Sequence, residues 1–300
     1  MKRHAFLIIA HRDFYILGKI MELLDDERCD FFLHIDKDAP DVDLSLIRSF
    51  AKKSGLFFAE RKSIKWGGYS QVDCEMRMLR LASSHGTYCY YHLLSGADMP
   101  IKTKEEIFSF FDKNDGREFI HFTARHASEA MTDRIKYYHL NDLYAKPGTG
   151  LSKLQRSIVG LLDNGFLSLQ KLFSVNRIRR RSITVMYGAN WFSITDMLCR
   201  YILARSDEIK KTYRLSACAD EVFLQTAVYS SPFRDSLYLP SFDNDYRQAA
   251  RCIDWSRGNP YIFRKDDLEE LISSDFMFAR KFDTQTDREI IDRLFERLYK

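Results

Sequence analysis

The hydrophobic positions of this chain change their spacing along its length, and each change marks an element. Residues 5–10 (AFLIIA) and Cys29–Ile35 (CDFFLHI) are continuous apolar runs without alternation, the pattern of strands buried on both faces of a parallel sheet. Between them, His11-Arg12-Asp13 opens a segment of helical spacing that runs to about Leu24. Residues 44–53 predict a second helix and Gly55–Phe58 a short third strand. A turn at Trp66-Gly67-Gly68-Tyr69 leads into a helix over 70–82, with Ser70 as its N-cap. Residues 88–100 (YCYYHLLSGADMP) change most abruptly: an aromatic and aliphatic run gives way to Ser95-Gly96, a lone carboxylate at Asp98 and the stop of Pro100. Thr103 and Glu106 form a capping box for a helix to about Phe111, and 118–122 return to strand character.

Strand and helix alternate through the first 125 residues, which predicts a doubly wound sheet of nucleotide-binding topology. Ligands of such sheets sit outside the carboxyl ends of the strands, so the turn around Asp98 is either a binding element or an ordinary turn with a locally capping acid. GxGxxG and GxxxxGK[ST] are both absent, so neither the dinucleotide fold nor the P-loop is supported.

Beyond residue 124 the pattern loosens. Residues 146–150 (KPGTG) read as a loop. Residues 151–181 are amphipathic and basic and end in Arg177, Arg179, Arg180 and Arg181. Such a segment either rests on a membrane surface or an anionic, lipid-linked substrate, or is a solvated helix face. Residues 183–192 predict a strand with a Gly-Ala turn, 195–206 a helix, and 219–228 another with Asp220 and Glu221 in its first turn. The positive end of a helix keeps a carboxylate ionised, as a general base requires, although acids there also serve simply as helix stabilisers. The final helix is expected to start at a Thr286/Glu289 capping box, with Ile290, Ile291, Leu294, Phe295 and Leu298 on one face.

The 300 residues, 45% hydrophobic and 29% charged, suit one large globular α/β unit. We read 1–300 as a single domain, with 1–125 as its nucleotide-binding half and 126–300 as its acceptor-binding and catalytic half. Forty-six basic against 42 acidic residues leave a net charge of +4, which gives no sign of a nucleic-acid partner. No apolar run is long enough for a transmembrane helix, and the N-terminal MKRHAFLIIAHRDF reads as a first strand rather than a signal peptide. The six scattered cysteines lack a CxxC and sit mostly in apolar stretches, which predicts reduced thiols in a cytoplasmic protein.

Candidate chemistry is sparse. Arg280-Lys281, set between aromatics, either holds a diphosphate or snorkels from an apolar surface. Three D-x-D triplets occur: Asp36-Lys37-Asp38, Asp41-Val42-Asp43 and Asp243-Asn244-Asp245. Lys37 works against a divalent cation in the first, and the others read as loop acids. No histidine spacing suggests zinc, and no GxSxG is present.

Seven stretches taken in order resemble one family: HAFLIIAHRD, FFLHIDKDA, IKWGGYSQVDCEMRMLRLA, YYHLLSGADMPIKTKEEIFSFF, YGANWFSIT, ADEVFLQTAVY and FMFARKFD. Together they are similar to the core-2/I-branching β-1,6-N-acetylglucosaminyltransferases and the related peptide O-xylosyltransferases. The resemblance implies an α/β GT-A-type fold with a mainly parallel central sheet flanked by helices. It also implies inverting transfer from a UDP-sugar to a glycan hydroxyl, without a metal or other cofactor.

By the same resemblance, Glu221 in ADEVF matches the catalytic base of the family's S-P-D-E motif, with Ala219 where the family often has Pro. Arg280 and Lys281 match the basic pair that holds the UDP diphosphate. Asp36 matches the acid that contacts the nucleoside, with His11 and Lys37 beside it in the donor site. Arg257, next to the position in register with a second family arginine, is assigned to the diphosphate. Asn190 stands where xylosyltransferases have an acid in G-S-D-W-F, and with Trp191 and Asp220 it is expected to touch sugar. Arg134 and Tyr138 fall in the acceptor segment, and Asp98 is expected to orient sugar hydroxyls. The sugar expected is N-acetylglucosamine, with xylose as the other named candidate, and the acceptor is a glycan that could be lipid-linked. Peripheral contact through 151–181 at the inner membrane face belongs to this reading. A non-catalytic nucleotide-sugar- or carbohydrate-binding protein of the same fold is the alternative.

Overall fold

The computed structural model describes residues 2–40, 42–139, 153–179 and 183–299, and side chains within 153–160 are left out. The loop expected at 146–150, Asp41 of the second acidic triplet, and Arg180 and Arg181 lie outside the described residues.

The first half alternates as its apolar runs demand. β1 (His4–Ala10), α1 (Phe14–Leu24), β2 (Cys29–Ile35), α2 (Leu44–Phe50), β3 (Gly55–Phe58), α3 (Tyr69–His85) and β4 (Tyr90–Ser95) follow in order. After a short β5 (Asp98–Pro100) come α4 (Lys104–Lys113), β6 (Phe119–Ile120), α5 (Glu129–Lys136), α6 (Lys153–Leu172), β7 (Phe192–Thr195), α7 (Asp196–Ala204) and α8 (Ser206–Tyr213). A 3-10 turn at Ala219–Glu221 precedes α9 (Phe223–Tyr229), β8 (Arg251–Ile253), α10 (Leu268–Ser273), β9 (Phe278–Arg280) and α11 (Glu289–Leu298).

The central sheet has six strands in the order β3-β2-β1-β4-β7-β6. β3, β2, β1 and β4 run parallel, and β7 enters antiparallel between β4 and β6. The fold is thus α/β, with a mostly parallel sheet flanked by helices. The unbroken apolar runs reflect burial on both faces. Along β1, Phe6 and Ile8 point into a core with Ile16 and Leu17 of α1, Ile107 of α4 and Ile290 of α11. Ala5 and Leu7 point into the opposite core with Val72 and Leu79 of α3, Leu198 of α7 and Leu224 of α9. Both cores therefore join residues from either side of position 125.

A second sheet, β5-β9-β8, sits at the carboxyl end of β4, with Asp98 opposite Arg280 and Ile253 beside it. Its three-residue strands carry no periodicity, and the sequence pattern does not reveal it.

Several local expectations are corrected. α3 begins at Tyr69 behind Gly68, and the Ser70 hydroxyl bonds back to Lys65 instead of capping. The helix expected over 44–53 ends at Phe50, because the Asp25 carboxylate takes the N–H groups of Lys52, Lys53 and Ser54. Residues 183–191 are not strand. Their backbone bonds go to Thr226, Thr123 and Glu221, and Gly188 lies so close to the His121 carbonyl that a Cβ would stand 1.8 Å from its oxygen. The helix expected over 219–228 is a 3-10 turn followed by α9. At α11, Asp287 accepts from the Ile290 N–H, and Thr286 bonds to Asp283, so no Thr286/Glu289 box forms. All six cysteines are free. Among the described residues, no helix is long and apolar enough to cross a membrane.

Candidate active site

The turn after β4 is packed tightly onto the end of β1. Gly96 donates to the Ile9 carbonyl, and a Cβ on Gly96 would come within 3.0 Å of the Ala10 side chain. This brings Asp98 under β9. Asp98 accepts from the Ser95 N–H at 2.8 Å, from the Ser95 hydroxyl at 2.9 Å and from Arg280 Nη1 at 2.7 Å. Arg280 Nη1 also bonds the Ser95 hydroxyl, and its guanidinium lies 4.5 Å from the centroid of the Trp191 ring. Asp98 is buried, so it is not placed to orient sugar hydroxyls as expected; it fixes the direction of an arginine.

Lys281 follows Arg280 and is half-buried. Burial lowers its pKa first, and Arg280 and Arg12 lower it further, against Asp283 and Asp98. A cation held beside other cations in partial burial is set up to receive an anion. The loop after β1 closes the same corner. Arg12 pairs with Asp283 at 3.2 Å, and Asp13 accepts from both the N–H and the hydroxyl of Thr284 at 2.9 Å. The pKa of His11 is lowered by desolvation and by Arg12, Lys281 and Arg280, while Asp36 raises it. Asp36, at the carboxyl end of β2, is buried and accepts from the N–H groups of Asp38 at 2.8 Å and Ile64 at 3.0 Å. Thus His11, Asp36, Asp98, Arg280 and Lys281, scattered over 270 positions of sequence, meet at one corner of the sheet.

Glu221 ends the 3-10 turn and reaches partly to solvent. Its Oε2 accepts from Arg134 Nη1 at 2.6 Å. Gly188 donates to its carbonyl at 3.0 Å, and the Ala217 N–H donates to the Arg134 carbonyl at 2.9 Å, so both partners are fixed by backbone as well as by charge. With α9 only seven residues long, the helix dipole anticipated for Glu221 is replaced by the guanidinium of Arg134. Tyr187 lies beneath that guanidinium, 5.3 Å from its centre.

The segment from Gly188 to Trp191 joins the two groups, with Gly188 on the Glu221 carbonyl and Trp191 under Arg280. Trp191 is the shelf for Arg280, and Asn190 Nδ2 lies 3.4 Å from Glu75 Oε1. Asp220 turns inward and accepts from Gln71 Nε2 at 3.0 Å. Glu75 is a residue that the motif reading missed. It is fully buried on α3, its Oε2 has no hydrogen-bond partner, and burial followed by the charge of Asp220 raises its pKa well above the usual carboxyl range. The signal was present in the sequence: an acid three residues after Val72 and three and four before Met78 and Leu79, among apolar positions of one helix face. Also missed were Tyr246, whose ring stacks 4.1 Å from His121, and the exposed Trp255. Tyr246 opens a four-residue 3-10 turn and Trp255 sits on a loop, where no periodicity marks them.

Three assigned residues are not brought into this constellation. Arg257 pairs with Asp254, with Asp267 at 2.7 Å and with Glu270 at 3.3 Å; three carboxylates around one guanidinium outweigh its charge, which does not suit a diphosphate. Tyr138 is drawn away from Arg134, with its ring 4.7 Å from the Arg177 guanidinium and its backbone bonded to Gln170 of α6. Lys37 is exposed at the loop edge. Of the triplets, Asp38 bonds Ser63, while Asp243 and Asp245 hold their own loop through Ser241, Gln248 and Arg247. Among the described residues, no group of three His, Cys, Asp or Glu side chains is arranged to hold a metal ion.

The sequence model of the family described as Core-2/I-Branching enzyme matches residues 4–274. Xylosyltransferase 2 of Rattus norvegicus is 23% identical over 321 residues, covering 99% of this chain and 34% of the relative. Xylosyltransferase 1 of the same organism is 21% identical over 319 residues, covering 99% of this chain and 35% of the relative. The chain therefore spans about a third of the length of these relatives. Among solved structures, S. aureus TarS 1–349 aligns with 76% of this chain and 55% of its own, at 12% identity and a TM-score of 0.36.

Proposed function

The chain belongs to the Core-2/I-branching enzyme family, as the match over residues 4–274 shows, and from that premise we propose that it is an inverting glycosyltransferase of the GT-A type. It takes a sugar from a UDP-sugar and passes it to a glycan hydroxyl, forming a β-linkage without a metal. The observation that carries this reading is Arg280, held by Asp98 and lying over Trp191, three residues after the Gly188 N–H that bonds the carbonyl of Glu221, itself paired with Arg134.

In this mechanism, the diphosphate of the donor lies against Arg280 and Lys281, with His11 and Asp36 at the nucleoside end. Glu221 takes the proton of the acceptor hydroxyl. The oxygen attacks the anomeric carbon, the bond from that carbon to the β-phosphate oxygen breaks, and UDP leaves with the bonding electrons. Fixed cations at the leaving group supply stabilisation where negative charge grows. Arg134 holds Glu221 in the direction of attack, and Tyr187, Tyr246 and Trp255 offer ring faces for the acceptor sugar. The similarity to xylosyltransferases favours xylose over N-acetylglucosamine as the sugar moved. A glycan acceptor borne on lipid at the inner membrane face is part of the same proposal.

The test is a screen of UDP release from UDP-xylose, UDP-N-acetylglucosamine and related donors, with and without EDTA. Acceptor-dependent release that EDTA leaves unchanged supports the reading. Release abolished by EDTA and restored by a divalent ion would overturn its metal-free part. UDP binding without release from any donor would favour a non-catalytic binding protein.

A further inference from the structure

The α6 helix exposes what a soluble helix normally hides. Leu161, Leu162, Leu169, Leu172 and Phe173 are between 55% and 76% exposed. At a hundred degrees per residue these side chains, with Gly165, occupy one continuous arc. Lys171, Asn164 and Ser168 fall on one flank of it. The opposite side faces the protein through Gln170, which is buried and exchanges hydrogen bonds with the Tyr138 backbone at 2.7 and 2.9 Å. Large apolar side chains gathered and exposed on one helix face mark a contact surface.

The neighbouring cavity says what it contacts. A cavity of about 500 Å³ opens beside the C-terminal end of α6, with Tyr138 as the shared wall. Arg177 forms its floor, donating to the carbonyls of Tyr137, Leu215 and Thr212 and to the Ser216 hydroxyl. Its rim carries the exposed Lys210, Lys211 and Arg214 against the single acid Asp207. Basic side chains at a rim, an aromatic ring at the boundary and leucines beyond reproduce the layers of a bilayer surface: phosphate, interface and acyl chain. An apolar protein partner would match the leucines but not the excess of cations.

We propose that α6 and the Lys210–Lys211–Arg214 cavity form one docking surface for a membrane bearing anionic phosphate headgroups. The leucine arc enters the acyl layer while the cavity holds a lipid phosphate. α5, which carries Arg134 to Glu221, runs directly into Tyr138, so the docked face adjoins the catalytic pair. The surface would present a membrane-borne acceptor to Glu221, and in that respect the inference rests on the function proposed above.

Vesicle flotation tests it with the full chain, using phosphatidylcholine vesicles with and without phosphatidylglycerol. Wild type is expected to float with the anionic vesicles and weakly or not at all with the neutral ones. The double variant Lys210→Glu/Lys211→Glu is expected to lose about tenfold or more in binding, since each basic residue near an anionic surface contributes severalfold. Leu162→Ser/Leu169→Ser/Phe173→Ser is expected to lose binding to both vesicle types. All these positions are exposed, so unchanged thermal melts verify folding. UDP binding by calorimetry, read on the same variants, reports separately on the donor site and is expected to be unchanged. Wild-type binding that ignores phosphatidylglycerol, or variants that float like wild type, would overturn the proposal. So would the absence of flotation together with a serine variant that shifts a dimer to monomer, which would assign the arc to a second copy of the chain.

Discussion

Arg280 and Asp98 face each other across β9 and β5, and the guanidinium donates to the carboxylate at 2.7 Å. The carboxylate that the sequence marks as a sugar ligand is instead the buried holder of a cation. Asp98→Asn keeps the shape and removes the charge. It is expected to weaken UDP binding by about tenfold and to lower stability by about 1.5–3 kcal/mol, the usual worth of a hydrogen bond to a charged group. Calorimetry with UDP and a urea melt read the two effects. Unchanged UDP affinity would separate Asp98 from the anion site.

Trp191 forms the other side of that holder. Trp191→Leu removes the ring face under Arg280 and is expected to raise the KM for the donor about fivefold with a smaller change in kcat, in keeping with a partly exposed cation–π contact. Steady-state kinetics at saturating acceptor check this. A loss confined to kcat would place Trp191 against the acceptor instead.

Arg134 positions Glu221 from α5. Arg134→Ala is expected to lower kcat about tenfold or more while leaving UDP affinity intact, because a freed carboxylate samples unproductive directions. Arg134→Lys is expected to recover part of the loss. Equal kcat in all three proteins would show that the pair is only structural.

Glu118 gives a pH prediction with a definite sign. It is buried beside Thr195, and burial raises its pKa from 4.5 to about 7. The folded state then holds a proton that the unfolded state has released, so between those two values its presence costs stability as pH rises. Glu118→Gln is expected to gain on wild type from pH 4.5 to about 7 and then level off, by up to about 3 kcal/mol. The buried histidines His4, His34 and His121, with lowered pKa values, give both proteins the opposite slope and cancel in the difference. Paired urea melts across that range measure it, and a pH-independent difference would contradict the shift.

Much of the fold was legible because β1, β2 and β4 are buried on both faces and so read as unbroken apolar runs. Glu221, Arg280 and Lys281 stand out in the sequence as an acid at a helix start and a basic pair between aromatics, each with a purely structural alternative; the neighbours Trp191, Asp98 and Arg134 come from distant positions and carry no such mark. Short elements escaped. β5, β8 and β9 are three residues each and are defined by partners up to 182 positions away. Residues 183–191 have strand-like composition, but Gly188 must pass against the His121 carbonyl, and that contact governs the segment. Arg257 misled because its three acidic partners come from α10 and from the loops before and after it.

Single-turnover UDP release by Glu221→Gln, measured beside wild type with the donor and acceptor found in the screen, is the most direct test. Release is expected to fall by about two orders of magnitude or more, as loss of a general base demands, with UDP affinity unchanged because Arg280 and Lys281 are untouched. Near-wild-type release by the variant would remove Glu221 from the role of base and contradict the mechanism.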